Sequence, residues 1–388
     1  MKTAYDFIVI GCGGIGSAAA YRLARASGAE VLALEQFRIG HDNGASQDHS
    51  RIIRLSYHDP DYTALTPHTY TAWAEVERES GVQLVVKTGG LDLEAAGGDA
   101  LASYSHGMNA AGIPFEQLSA DEVMYRWPQY RLRDGERALF QADGGLVDSG
   151  KGIAVHVALA RAHGATVLDQ TPVRSLRVVG DSVEVVTDGG TFTAGKVVIA
   201  ADAWTNQLLA SFGIAWPLTI LQEQVTFFAT PNLREFAPDR FPIFIWHGSP
   251  DFYGFPVYGE VATKAAIDCG GDRVTTETRT FEPNPRPHRA LIAFLERHIP
   301  GFLGPELRTK TCLYTMPPDR NFTIDTLPGV PQVVVAQGAA HAYKFAALIG
   351  KILADLAVRG QTDCPIAPFG AGRPALTDPK FPASFHLS

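Results

Sequence analysis

The chain has 388 residues, 46% of them hydrophobic, with 33 basic against 41 acidic side chains and a formal net charge of -8. That length and composition describe a folded protein with room for two domains, and the lack of a basic cluster argues against a nucleic-acid partner. No apolar run approaches the ~20 residues that span a bilayer, the N-terminus enters a strand without a leader pattern, and Cys12, Cys269, Cys312 and Cys364 have neither metal-ligand nor disulfide-framework spacing. The expectation is a cytoplasmic protein with reduced thiols, no metal site and no membrane partner.

In chain order, the first element is the apolar run Phe7 to Ile10, which reads as a buried parallel strand. Gly11, Gly13 and Gly16 follow it at G-x-G-x-x-G spacing, which permits a tight turn, close backbone approach to a pyrophosphate and close helix packing. Ala18, Ala19, Ala20, Leu23 and Ala24 then form the small-residue face of a helix, whose free N–H groups at its start face the phosphates. The second strand, Val31 to Leu34, ends at Glu35, an acid placed for a ribose 2′-hydroxyl. A glycine triplet alone is a weak signal. Strand, glycines, helix, second strand and terminal acid in that order mark a dinucleotide site.

Phe37 to Tyr57 reads as a polar functional loop carrying His49, Arg51 and Arg54. Thr66 to Ser80 has helical apolar spacing. Leu84 to Val86 and Gly90 to Leu93 read as strands of a different layer. Gly152 to His163 predicts a helix, Val173 to Val178 and Ser182 to Val186 a pair of alternating strands, and Gly195 to Ala201 another buried parallel strand. From Trp216 to Thr315 the chain alternates like an antiparallel sheet, clearest in Gln222 to Phe228. Gln332 to Gly338 is a strand that turns into a helix from Phe345 to Val358, the start of which offers a partial positive charge to a bound ring. The fold class expected is α/β, a Rossmann-like nucleotide domain assembled from 1–83, 150–215 and 322–388, with an α+β substrate domain of mainly antiparallel sheet from 84–149 and 216–321.

Gly11 to Glu35, Ser50-Arg51-Ile52-Ile53-Arg54, Gly89-Gly90-Leu91, Ala201-Asp202-Ala203-Trp204 and Thr311-Cys312-Leu313-Tyr314-Thr315 stand in an order that resembles the monomeric sarcosine oxidase and N-methyltryptophan oxidase family, within the glycine/D-amino-acid oxidase fold. The resemblance runs from Phe7 to about Pro374. It implies a monomer that binds FAD, oxidises a small-molecule amine by hydride transfer to flavin N5, releases an imine, and reduces O₂ to hydrogen peroxide. Cys312 resembles the family cysteine that carries FAD through a thioether at the 8α position. Arg51 resembles the cation beside the flavin ring. Arg54 and Lys344 resemble the pair that binds the substrate carboxylate, Arg54 by its planar fork. Lys264 resembles the lysine that activates oxygen by stabilising the superoxide formed on its first reduction. Tyr253 and Asp268 fall in the substrate segment. The resemblance also places Gly14, Ile15, Gln36, Ser50, Val173, Ala201, Trp204, Gly338, His341, Ala342 and Tyr343 against the cofactor.

Departures from the family pattern stand beside the matches. The flavin-side loop, usually Gly-Phe-Ser-Gly-His-Gly-Phe-Lys, is Gly338-Ala339-Ala340-His341-Ala342-Tyr343-Lys344 here, one residue shorter and bulkier near its end. Gln47 replaces a frequent histidine. Asp268 stands where the sarcosine enzymes have a histidine, and it either favours a protonated amine, binds a second polar group of the substrate, or faces solvent. Trp246 and His247 read most simply as a packed tryptophan and a rim histidine. The function expected is an FAD-dependent oxidase of carboxylate-bearing secondary amines. Rivals are a flavin amine dehydrogenase, a biosynthetic tailoring oxidase with another substrate, and an FAD-binding protein without turnover.

Overall fold

The computed structural model of the protein describes residues 2–28 and 30–385; the outermost limits of the expected domain division, at 1 and 388, lie outside them. The apolar run after Asp6 lies in the strand Ala4–Ile10, with Ile8 and Val9 fully buried. It pairs in parallel with Val31–Leu34 on one side and Gly190–Ile199 on the other. Thr166–Leu168 and Val333–Gln337 extend the parallel sheet outward. Strands covered on both faces carry no polar alternation, which is why these segments read as continuous apolar runs. A hairpin, Val173–Val179 with Ser182–Thr187, and the strand Thr323–Thr326 complete eight strands by antiparallel pairing.

The helices Gly14–Ser27, Ser149–Ala162 and Ala346–Arg359 contribute to the core beside this sheet. The first and last approach each other closely, because a Cβ on Gly350 would come 2.5 Å from the Ala18 Cβ. A second, nine-stranded sheet takes strands from 90–141 and 219–316 and is mainly antiparallel, with Ile243–His247 running parallel to Gly90–Glu94. Phe228, Phe236, Phe241, Phe244, Phe294 and Phe302 form the centre of its core. Among the described residues no helix is long and apolar enough to cross a membrane.

Four local expectations change. The Phe37 to Tyr57 loop contains a strand, Arg51–Ile53, and Val85–Lys87 joins it across Gly145–Val147 in a separate three-stranded sheet instead of the large substrate layer. This small sheet fixes the backbone between Arg51 and Arg54. The helix expected at Gly152 begins at Ser149, since Asp148 caps it by accepting from the Lys151 N–H. The helix expected at Thr66 begins at Pro60, where Asp59 is the cap and proline occupies the first turn.

Candidate active site

A cavity runs from the glycine turn, past Cys312, to Tyr253, Lys264 and Lys344. Of the residues singled out in the sequence, Gly11, Gly13, Gly14, Ile15, Glu35, Gln36, Ser50, Arg51, Arg54, Val173, Ala201, Trp204, Tyr253, Lys264, Asp268, Cys312, Gly338, His341, Ala342, Tyr343 and Lys344 all line it. Gly16 does not. A Cβ there would overlap the Gly11 carbonyl, so Gly16 serves the packing of helix against turn and not ligand contact.

At the nucleotide end, Glu35 is buried and accepts from the N–H groups of Cys12, at 2.8 Å, and Phe37, at 3.0 Å. Two backbone donors thus fix the carboxylate, and His41 Nε2 lies 3.4 Å from Oε1, leaving the Oε2 side with a lone pair for a hydroxyl. The helix at Gly14 has no acid in its first turn and no cap from Gly13, and although the Gly14 N–H donates to Ser46 Oγ at 3.1 Å, its positive end suits an external anion. The Tyr343 ring lies where a Cβ on Gly14 would sit, and its hydroxyl donates to the Ser149 carbonyl at 2.7 Å. This cradle fits the pyrophosphate and ribose of FAD.

In the middle of the cavity, Lys264 is buried on the strand Thr263–Asp268 and donates to Asp48 Oδ2 at 2.7 Å and to the Ser50 carbonyl at 2.8 Å. Burial, together with repulsion from Arg51, outweighs the pull of Asp48 and brings the Lys264 ammonium down to about 8. Burial alone would raise the Asp48 carboxyl, but Lys264 and Arg51 hold it down at about 2. Arg51 donates to the Ser50 and Ala45 carbonyls and lies 3.7 Å from the same carboxylate. Two cations around one acid leave an excess positive charge. The Cys312 thiol, opposite Glu223 in the sheet register, is pushed by burial up to about 12 and pairs in no disulfide with a described cysteine.

At the far end, Arg54 is buried between the Tyr57 and Tyr104 rings, with Nη1 on Asp92 Oδ1 at 2.5 Å. Asp92 also accepts from Ser56 at 2.6 Å and contacts His247 Nε2 at 2.9 Å. Burial would raise its carboxyl, but Arg54 and His247 hold it below its ordinary value. Asp92 therefore occupies the Nη1 end of the Arg54 fork. The other edge is unsatisfied, since Nε is buried with no partner among the described residues and Nη2 has only a 3.5 Å contact with the Tyr104 hydroxyl. Lys344 donates to the Tyr57 hydroxyl at 2.9 Å and the His341 carbonyl at 3.2 Å, and no described carboxylate pairs with it. Burial and the nearby Arg54 push its ammonium far below the ordinary lysine value.

Asp268 neither faces open solvent nor stands free for an amine, because Arg320 grips both its oxygens at 2.8 and 2.9 Å. His247 is buried in the cavity wall and not at a rim, while Trp246 packs on Phe294 and His298 as expected of a core tryptophan. Gln47 donates to the Thr311 carbonyl beside Cys312. Sequence reasoning missed Asp48, Asp92 and Arg320. An acid inside the buried strand Gly90–Glu94 was a readable signal for Asp92; the other two have partners distant in the chain and no local signature.

A parallel sheet with a glycine turn, an acid closing its second strand, and a cation-lined cavity reaching into a second sheet defines a dinucleotide-dependent oxidoreductase. Residues 6–356 match the family described as FAD dependent oxidoreductase, and the chain belongs to that family. It is 36% identical to a monomeric sarcosine oxidase of Streptomyces avermitilis over 96% of this chain and 98% of that one. It is 30% identical to the N-methyl-L-tryptophan oxidase of Escherichia coli over 95% and 99% of the two chains. The solved structure of NikD, an unusual amino acid oxidase essential for nikkomycin biosynthesis, superposes with a TM-score of 0.84 at 28% identity, covering 95% of this chain and 98% of that chain.

Proposed function

We propose that this chain oxidises secondary amines that carry a carboxylate, N-methyl or cyclic amino acids, to imines, with O₂ as acceptor and hydrogen peroxide as product. Bound FAD supplies the hydride acceptor and the route of electrons to O₂. The observation that carries the reading is Lys344, a buried lysine without a carboxylate partner among the described residues, near Arg54, whose Nε is likewise buried without a partner among them. A substrate carboxylate supplies the missing anion and satisfies the orphaned Nε–H. Cys312 would hold FAD through a thioether, and Arg51 and Lys264 provide the positive charge that favours an electron-rich cofactor and developing charge on O₂.

Tyr253 and Tyr314, 3.5 Å apart between hydroxyls, both have their phenols pushed up by burial and stay neutral, so neither is a base. The amine reacts as its free base, and the residues act by holding its C–H bond in place. Sarcosine, N-methyl amino acids and cyclic amino acids should bleach the flavin anaerobically, and in air each turnover should yield one peroxide. Bleaching by primary amines alone, or turnover without peroxide, would overturn the proposal.

A further inference from the structure

Two arginine–aspartate pairs, Arg54 with Asp92 and Arg320 with the partly buried Asp268, lie near enough to Lys344 to act on its charge. In the second pair Asp268 falls in the substrate segment of the family resemblance, whereas Arg320 has no counterpart among the residues that resemblance assigns. Arg320 is 2% exposed, lines the cavity, and is pinned from several directions. Its guanidinium forks onto Asp268 and donates to the Phe385 carbonyl at 2.7 Å, and its own carbonyl faces His341 Nε2 at 3.2 Å. Its backbone is left-handed at φ 52, a conformation non-glycine residues hold only where the surroundings force it. With the side chain so fixed, its Nε–H is buried and has no acceptor among the described residues, as is true of Arg54. Two arginines that line one cavity with Lys344, each keeping a buried guanidinium donor without an acceptor, fit a ligand that accepts at two places.

We propose that Arg320 forms a second recognition position, which takes a neutral hydrogen-bond acceptor on the side chain or ring of the substrate, such as a carbonyl, carboxamide or ring nitrogen. The inference rests on the reading of the site as one for carboxylated secondary amines. Charge decides the acceptor's neutrality. Asp92 offsets Arg54 and Asp268 offsets Arg320, so Lys344 is matched by one substrate carboxylate, and a second carboxylate beside Asp268 adds a buried charge with no partner. A purely alkyl side chain leaves the Arg320 donor unsatisfied.

Calorimetry on the holoenzyme with non-reacting acids of equal shape tests this without requiring turnover. Succinamate and its longer homologue glutaramate place a carboxamide where 4-methylpentanoate and 5-methylhexanoate have branched methyls and where succinate and glutarate have a second carboxylate. The expectation is that one amide binds about tenfold or more tightly than both of its isosteres. In Arg320→Met/Asp268→Leu, which removes both charges together, that preference should shrink to near unity. Equal binding of amide and alkyl acids, preference for the dicarboxylates, or retention of the preference in the double variant would overturn the proposal. The wild-type comparison decides alone if the variant does not fold. If no acid binds while amines without a carboxylate bleach the flavin, the underlying reading falls and this one with it; if the acids bind alike, only the second position falls.

Discussion

Lys264 is held at about 8 by burial in the presence of Asp48 and Arg51. Its folded value lies below the ordinary lysine value, so the cation is present below about pH 8 and is lost as pH rises through it. Reoxidation of the reduced enzyme by O₂ should therefore slow above about pH 8, while anaerobic reduction by substrate does not follow this titration. Lys264→Met should slow reoxidation by about 100-fold, on the order of 3 kcal/mol for one fixed electrostatic contact, and should abolish that pH dependence. Stopped-flow measurement of the two half-reactions checks it, and unchanged reoxidation would move the oxygen site elsewhere. At the substrate end the two cations should behave differently. Lys344→Met removes a buried charge with no acid attached, so it should weaken binding of a carboxylate inhibitor roughly 10- to 100-fold with little loss of thermal stability. Arg54→Ala should weaken the same inhibitor and also cost about 3 kcal/mol in unfolding free energy, because Asp92 stays buried with Ser56 and His247 alone. Calorimetric titration beside denaturant unfolding separates the two cases, and equal binding of an acid and its amide by the wild type would sink the carboxylate assignment.

Secondary structure carried these side chains into place by means that were mostly local. The glycine turn, the alanine face of Gly14–Ser27 and the apolar runs of the parallel sheet depend on neighbouring residues and were legible as such. Helix starts were less so, since Asp59 and Asp148 extend two helices beyond their apolar periodicity through single capping bonds. Gly350 shows a constraint between elements. Gly350→Val places side-chain atoms against Ala18 and Ala19, so it should separate the last helix from the first and cost about 1–3 kcal/mol. On the reading that the first helix presents its N-terminus to the pyrophosphate, FAD content of the purified variant should fall along with its melting temperature. Gly372→Ala, where an added Cβ meets nothing within 4 Å, is the control and should change neither. Full FAD content in Gly350→Val would show that this helix contact does not position the nucleotide end.

The cavity draws its walls from both large sheets and from the small one that carries Arg51, so cofactor and fold should be thermodynamically linked. A ligand at 1,000 times its Kd adds roughly 4 kcal/mol to the folded state. Wild-type protein with FAD tethered at Cys312 should therefore melt at a temperature independent of added FAD, and its flavin should survive acid precipitation. Cys312→Ala should release its FAD in acid, and its melting temperature should rise with the FAD concentration supplied. Intact mass settles the tether directly. A polypeptide mass without one added FAD, from yellow wild-type protein, would refute the thioether.

The sequence alone determined the nucleotide site, since a turn between a buried strand and a helix is specified by residues within about thirty positions of one another. It also placed Cys312, Lys264, Arg54 and Lys344 near one cavity through their resemblance to a family pattern. Tertiary structure decided which charges face which. Lys264 meets Asp48 across 216 positions, Arg320 meets Asp268 across 52, and Arg54 meets Asp92 across 38. No local periodicity encodes such pairings, because an ionic partner is set by sheet register and by which strands lie side by side. For that reason Asp268, for which a protonated amine, a second polar group of the substrate and open solvent were all readable, proved to be ion-paired, and Arg320, which had no signal of its own, lines the cavity.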